Sequence, residues 1–189
     1  FSAASNVTGI VTDVDTVTRR LKTAGALAIW DYAAGAPYLP MDMGDGAAAK
    51  DAIVLSPHKF PGGPGASGIM VVRDSIVRRT TPTLPGGGTV SFVSPWGHAY
   101  SARVEAREEA GTPNVVGDIR AALVMLVKDA VGTHAILERE EALRQRAVDR
   151  WTQVPGIRLL GQKPGMTALP IFSFQVVDPQ GTLVHQQMF

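Results

Sequence analysis

The chain has 189 residues, 45% hydrophobic and 19% charged, with a net charge of +1 and no cysteine. That composition supports a packed core in one domain, or one domain plus part of another. It offers no basic field for nucleic acid. The missing thiols exclude a disulfide framework, a thiolate metal site and a cysteine nucleophile within these residues.

Residues 1–4 read as the end of a strand, followed by a turn at 6–9. In residues 13–22, Val14, Val17 and Leu21 share one helical face, with acids in the first turn and bases in the last. Gly25 ends that helix. Residues 26–30 form a short apolar run of the kind buried in parallel sheets, and residues 52–55 and 68–72 form two more. Strand, helix, strand, short crossover and strand in that order predict an α/β sheet flanked by helices.

Residues 80–113 are rich in Gly, Pro, Thr and Ser and read as a long irregular segment, functional or mobile. Helical patterns follow at about 115–131 and 135–154. Strand-like alternation follows at 157–160 and 168–177, and residues 181–189 read as a helix that has barely begun. The shift near Val154 predicts a first unit over 1–153 and the start of a smaller α/β unit over 154–189. Both ends read as cutting through structure, so a fragment of a longer protein is expected. No apolar run reaches the roughly 18 residues of a membrane span, and no leader pattern is visible in the first residues. Neither membrane nor nucleic acid is therefore an expected partner, and the expected compartment is the cytoplasm.

The most informative stretch is Ser56-Pro57-His58-Lys59-Phe60. It follows the apolar run Ala52-Ile53-Val54-Leu55 and precedes Pro61-Gly62-Gly63-Pro64-Gly65, which continues neither strand nor helix. A lysine delivered there by a buried strand is placed to form an imine with a carbonyl cofactor. Asp31 closes the earlier apolar run in the same way. Ligands on α/β sheets sit beyond the carboxyl ends of the strands, so spacing places Asp31 and Lys59 on one rim. The pair points to pyridoxal 5'-phosphate, which needs a lysine for its aldehyde, a carboxylate for its ring nitrogen and donors for its phosphate. Lys59 suits the first role, with burial expected to lower its pKa. Asp31 suits the second, Ser56 and His58 the third, and Asn6 is placed to donate to the ring hydroxyl. No metal-ligand spacing is present.

Ser56-Pro57-His58-Lys59 resembles the Ser-x-His-Lys signature of class V aminotransferase-fold enzymes, a group that includes cysteine desulfurases, selenocysteine lyases and kynureninases. Ser5-Asn6-Val7-Thr8-Gly9 resembles the family's Ser-Asn-x-x-Gly turn. Residues 30–38 resemble its Asp-x-Ala-x-x-x-Pro segment, and residues 109–114 its Gly-Thr-Pro-Asn segment. The resemblance implies fold type I, with a mainly parallel sheet in a large domain and a smaller C-terminal domain. It also implies a small amino-acid substrate and a homodimer with composite active sites. Thr112 would then reach the cofactor phosphate of the neighbouring subunit. Ala34 stands where many desulfurases of the group carry a glutamine, which weighs against desulfurase or selenocysteine lyase activity. The ring-stacking residue is expected before Phe1, and the substrate-carboxylate arginine and the desulfurase loop cysteine after Phe189. The rival readings are a cysteine desulfurase or selenocysteine lyase, despite Ala34, and a non-catalytic relative or inactive fragment.

Blander roles stand beside these. Thr112, Pro113 and Asn114 also read as a helix start with a hydroxyl or amide cap. Gly62 to Gly68 reads as turn geometry, since it lacks a P-loop ending. Gly86-Gly87-Gly88-Thr89 reads equally as a close backbone approach to the site or a hinge. Arg107 reads as an anion partner or, more simply, as a solvated helix-edge residue.

Overall fold

The computed structural model describes residues 1–161 and 165–188. Phe189, the last residue of the expected C-terminal helix, and residues 162–164 of the expected second unit lie outside the described residues.

The first helix, α1 (Val14–Thr23), forms where the apolar spacing places it. Asp13 caps it by accepting from the Thr16 amide at 3.1 Å, which satisfies one of the unpaired donors of the first turn. Arg20 and Lys22 sit in its last turn, and Gly25, at φ 72°, turns the chain out of it.

A three-stranded sheet follows, ordered β1 (Ile29–Asp31), β2 (Ala52–Leu55), β3 (Ile69–Val72). β1 and β2 are parallel, with Ile29 opposite Ala52 and Asp31 opposite Val54. β3 runs antiparallel to β2, with Leu55 opposite Ile69. The loop between β2 and β3 contains only a short 3-10 turn at Pro57–Lys59, so it reverses the chain instead of crossing over to restore a parallel strand. The opening residues extend the sheet beyond β1. Ser2 bridges Asp31 in parallel, the Asp31 amide donates to Phe1 O at 2.7 Å, and the Ala3 amide donates to Asp31 O at 2.8 Å.

The core gathers Ala28, Trp30, Ile53, Leu55 and Phe60 of the sheet and its loops, packed by Val14, Val17 and Leu21 of α1. Trp30 is 0% exposed, and its indole donates to the Thr18 hydroxyl at 2.9 Å inside the core, as a buried indole requires. The run at 26–30 is not buried throughout: Leu27 is 55% exposed and Ile29 is also exposed. Alternation along the strand sends Ala28 and Trp30 to one face and their neighbours to the other.

The segment at 80–113 is more ordered than its composition implies. It contains the hairpin β4 (Val90–Ser94) and β5 (Gly97–Tyr100), and a short helix α2 (Val104–Glu108). Trp96, at the hairpin tip, is 93% exposed. Helices α3 (Val115–Val131) and α4 (Thr133–Trp151) follow, meeting at Gly132, whose φ is 86°. Val124 of α3 reaches the core. A final pair, β6 (Ile157–Leu160) and β7 (Ser173–Val176), is antiparallel. In place of the helix expected near the end, Leu183 bridges Val177 and a 3-10 turn occupies Gln186–Met188. The region after β6 is hydrogen-bonded to the first turn, with the Leu169 amide donating to Gly9 O at 2.8 Å. A side chain at Gly9 would stand 2.4 Å from Leu169 O, so that approach requires glycine. No helix among the described residues is long and apolar enough to cross a membrane.

Candidate active site

β1 and β2 end side by side and point the same way. Asp31 is the last residue of β1. Beyond Leu55, the last residue of β2, come Ser56 and the 3-10 turn Pro57–Lys59. Parallel pairing, with Asp31 opposite Val54, therefore brings the carboxylate and the amine-bearing turn to the same rim. Asn6 belongs to that rim by topology, because the segment before it runs parallel to β1 at Ser2.

Consecutive short turns hold the Lys59 loop. The Lys59 amide donates to Ser56 O at 3.0 Å, Phe60 to Pro57 O at 3.0 Å, Gly63 to Phe60 O at 2.9 Å, and Ala66 to Gly63 O at 2.8 Å. A Cβ on Gly63 would lie 2.1 Å from Pro57 O, so the loop doubles back tightly on the turn that carries Lys59. The Lys59 side chain is exposed, against the expectation of burial, and so is His58; Ser56 is half-buried. The reason is that Leu55 is the last residue β2 delivers to the core, and Pro57 and Phe60 bury themselves on either side of the two basic side chains.

Asp31 is exposed, and its Oδ1 accepts from the Ala33 amide at 2.7 Å. That bond fixes the carboxylate over the turn after β1 and leaves Oδ2 without a protein donor among the described residues. The Asn6 side chain is exposed at a turn ordered by Ser5, whose hydroxyl accepts from the Val7 and Thr8 amides at 3.2 and 3.1 Å.

Thr112 lies elsewhere. It lines a cavity of about 860 Å³ with Ser67, Met70, Gly111, Asn114 and Asp118, whereas Lys59 lines a separate cavity of about 510 Å³ with Tyr38, Phe60 and Lys128. The cap of α3 is Asn114, which accepts from the Gly117 amide at 3.2 Å. The Thr112 hydroxyl is not used as a cap and is exposed. Asn114 Nδ2 also donates to the Ser67 hydroxyl at 3.3 Å. The start of α3 is thereby fixed to the loop that follows Lys59.

The glycine run at 86–88 makes a close backbone approach, since Gly87 O accepts from the Gly111 amide at 2.8 Å. Thr89 closes that turn, its buried hydroxyl donating to Gly86 O at 2.7 Å. Arg107 is not solvated at a helix edge. It is 5% exposed, donates from Nη1 to Ser101 O at 3.1 Å, and its Nε makes no hydrogen bond among the described residues. Its position on α2, buried and bonded to the residue after β5, could not be read from a segment that looked irregular.

Lys128 was also missed. It stands in the last turn of α3, where a lysine is ordinary. Nothing local in the sequence reports that its ammonium reaches Ala36 O and Leu39 O, at 2.7 and 2.5 Å.

The residues on this rim fit pyridoxal 5'-phosphate by donor chemistry. An amine unpartnered among the described residues, a carboxylate with one oxygen fixed and one open among them, a hydroxyl and an imidazole stand at the ends of neighbouring parallel strands. A family model described as aminotransferase class-V matches residues 1–187, and the chain belongs to that family. Probable cysteine desulfurase from Streptomyces coelicolor is 30% identical over 195 residues, covering 97% of this chain and 46% of that protein. Probable cysteine desulfurase 2 from Mycobacterium leprae is 33% identical over 164 residues, covering 86% of this chain and 38% of the relative. The apo structure of cysteine desulfurase from Thermococcus onnurineus NA1 superposes with a TM-score of 0.82 at 26% identity, covering 93% of this chain and 43% of that one. The chain has the α/β fold of these fold-type-I structures and spans less than half the length of the relatives it matches.

Proposed function

We propose that the full-length protein is an enzyme that uses pyridoxal 5'-phosphate, attached through Lys59, to act on a small amino-acid substrate. The observation that carries this is the parallel pairing of β1 and β2, which sets Asp31 and the Lys59 turn at adjacent strand ends. Bound there, the cofactor supplies an electron-accepting ring for negative charge developing at the substrate's α-carbon.

The chain's own residues do the rest. Lys59 Nζ would hold the cofactor through its aldehyde, and when not so engaged would be the base that takes the substrate's α-proton. Its exposed stem lets it swing between those tasks without breaking the backbone turn. Asp31, anchored by Ala33, would pair with the ring nitrogen and favour its protonated form. Ser56 and His58 donate to the phosphate, and Asn6 to the ring hydroxyl. Thr112, in its separate cavity, serves the phosphate of a second subunit in a homodimer.

Desulfuration of cysteine is the second reading, favoured by the names of the relatives and opposed by Ala34. Release of alanine and sulfide from L-cysteine by the full-length protein would establish it.

The visible spectrum of the reconstituted full-length protein tests the main reading. A bound chromophore absent from Lys59→Ala is the expected result. A wild-type protein that takes up no chromophore would overturn it.

A further inference from the structure

Helix α3 is fastened to the rim at three points along its length. Asn114 Nδ2 donates to the Ser67 hydroxyl at 3.3 Å, Arg120 Nη1 donates to Pro64 O at 2.5 Å, and Lys128 Nζ donates to Ala36 O and Leu39 O. The first two fasten the loop after Lys59. The third reaches the turn after Asp31, about ninety residues earlier in the chain.

That turn winds on itself before Lys128 meets it. The Ala36 amide donates to Tyr32 O at 2.6 Å and the Leu39 amide to Gly35 O at 2.8 Å. Its final carbonyls, Ala36 O and Leu39 O, would be left without donors, as at the end of any helical turn. Lys128 supplies both from one ammonium, with charge-assisted bonds. The same Nζ lies 5.9 Å from the centroid of the Phe60 ring, and Phe60 is the buried residue directly after Lys59. Burial pushes the Lys128 amine below its ordinary pKa. The site thus accepts a desolvation cost that a solvated lysine would avoid.

We propose that Lys128 is a positioning residue that fixes the Asp31 turn and the Lys59 turn relative to each other. This rests on the reading of Asp31 and Lys59 as the cofactor's two partners. Lys128 touches neither the reacting atoms nor the cofactor in this role. It acts by holding the carbonyl end of one turn and the aromatic end of the other.

Lys128→Met keeps the stem and removes the donors; Lys128→Arg keeps donors of the same charge. Both are made in the full-length protein beside Lys59→Ala. Two quantities are read: amide hydrogen exchange of the apoprotein, and the dissociation constant for pyridoxal 5'-phosphate followed by absorbance. Exchange should quicken in both the 31–39 and 59–66 segments of Lys128→Met. Cofactor binding should weaken about tenfold, the value of roughly one charge-assisted bond, and Lys128→Arg should recover most of it. If Lys128→Met loses thermal stability while exchange and binding stay as in wild type, the role is structural only and the proposal fails. It fails too if only one of the two segments responds. Should Lys128→Met not fold, Lys128→Gln, which retains one donor group, is measured by the same two quantities and decides by the same outcomes. Loss of chromophore in wild type, or its retention in Lys59→Ala, would instead overturn the reading of Lys59, whatever Lys128 does.

Discussion

The two ends of β2 carry lysines in opposite conditions. Lys50, just before the strand, is 1% exposed and paired to Asp15 at 3.1 Å and Asp42 at 3.4 Å. Lys59, just after it, is exposed and has no ion pair among the described residues. Around Lys50 the neighbouring charged groups Asp51 and Arg73 are answered too. Asp51 takes the Lys22 ammonium at 2.5 Å and the Ala28 amide at 2.7 Å. Arg73 donates to Lys50 O, Met43 O and Gly44 O at 2.7, 3.1 and 2.6 Å. Around Lys59 the backbone is closed by turns and the side chains are left open. A rim whose backbone is fixed and whose side chains are free is what binding and group transfer require. The opposite end, closed in both respects, holds the sheet in place.

The largest expected effect lies at the open end. Lys59→Ala in the full-length protein should abolish covalent capture of pyridoxal 5'-phosphate while leaving stability within about 0.5 kcal/mol, since an exposed side chain is removed. Urea unfolding alongside the absorbance titration separates the two. A loss of several kcal/mol would mean that Lys59 is structural and the contrast between the two ends is false.

At the closed end the order reverses. Asp51→Ala should cost about 3 kcal/mol in urea unfolding, because it strands the Ala28 amide in the core and leaves Lys22 unpaired. Covalent capture at Lys59 should persist in whatever fraction remains folded. Unchanged stability would show that the Lys22 and Ala28 contacts contribute nothing net.

The same carboxylate gives the closed end a pH dependence. Burial pushes Asp51 up, but the hydrogen bonds from Lys22 and Ala28, with the charges of Lys22 and Arg73, outweigh it and hold the carboxyl below its ordinary 3.8. A depressed folded pKa contributes stability that is present above the unfolded value and lost as pH falls through the folded one. The stability gap between wild type and Asp51→Asn should therefore be level above about pH 5 and shrink below about pH 4. Chemical denaturation across that range checks it, and a gap that widens in acid would reverse the sign.

The open end was far more legible in sequence than the closed one. Ser56 to Lys59 follow an apolar strand and precede a glycine-proline loop, so local pattern alone places them at a strand end. Asp31 was found the same way. The closed end depends on partners dispersed from Asp15 to Arg73, and no periodicity links residues that meet only after folding. The hairpin at 90–100 was hidden for a different reason. β4 carries exposed Phe92 and Val93 side by side and the tip carries exposed Trp96, so the alternation of a half-buried strand is missing. Exposure of Lys59 escaped the sequence because an apolar run predicts burial of the strand, and the chain leaves the core immediately after Leu55.

The smallest effect is expected at Lys50 itself. Its charge is buried, yet both partners are exposed carboxylates. Lys50→Met keeps the volume and removes the buried charge, and water can take over Asp15 and Asp42. Replacing a buried charge by an apolar group of similar shape is often neutral or stabilising, and exposed partners gain little from a bridge. Urea unfolding of the full-length protein should move by less than about 1 kcal/mol in either direction, with cofactor capture unchanged. Asp51 differs because it answers a buried backbone amide, that of Ala28, which solvent does not reach. If Lys50→Met costs as much as Asp51→Ala, then the charges at this end act as one network. That end of the sheet would then depend on all of them together, and not on the Asp51 contacts alone.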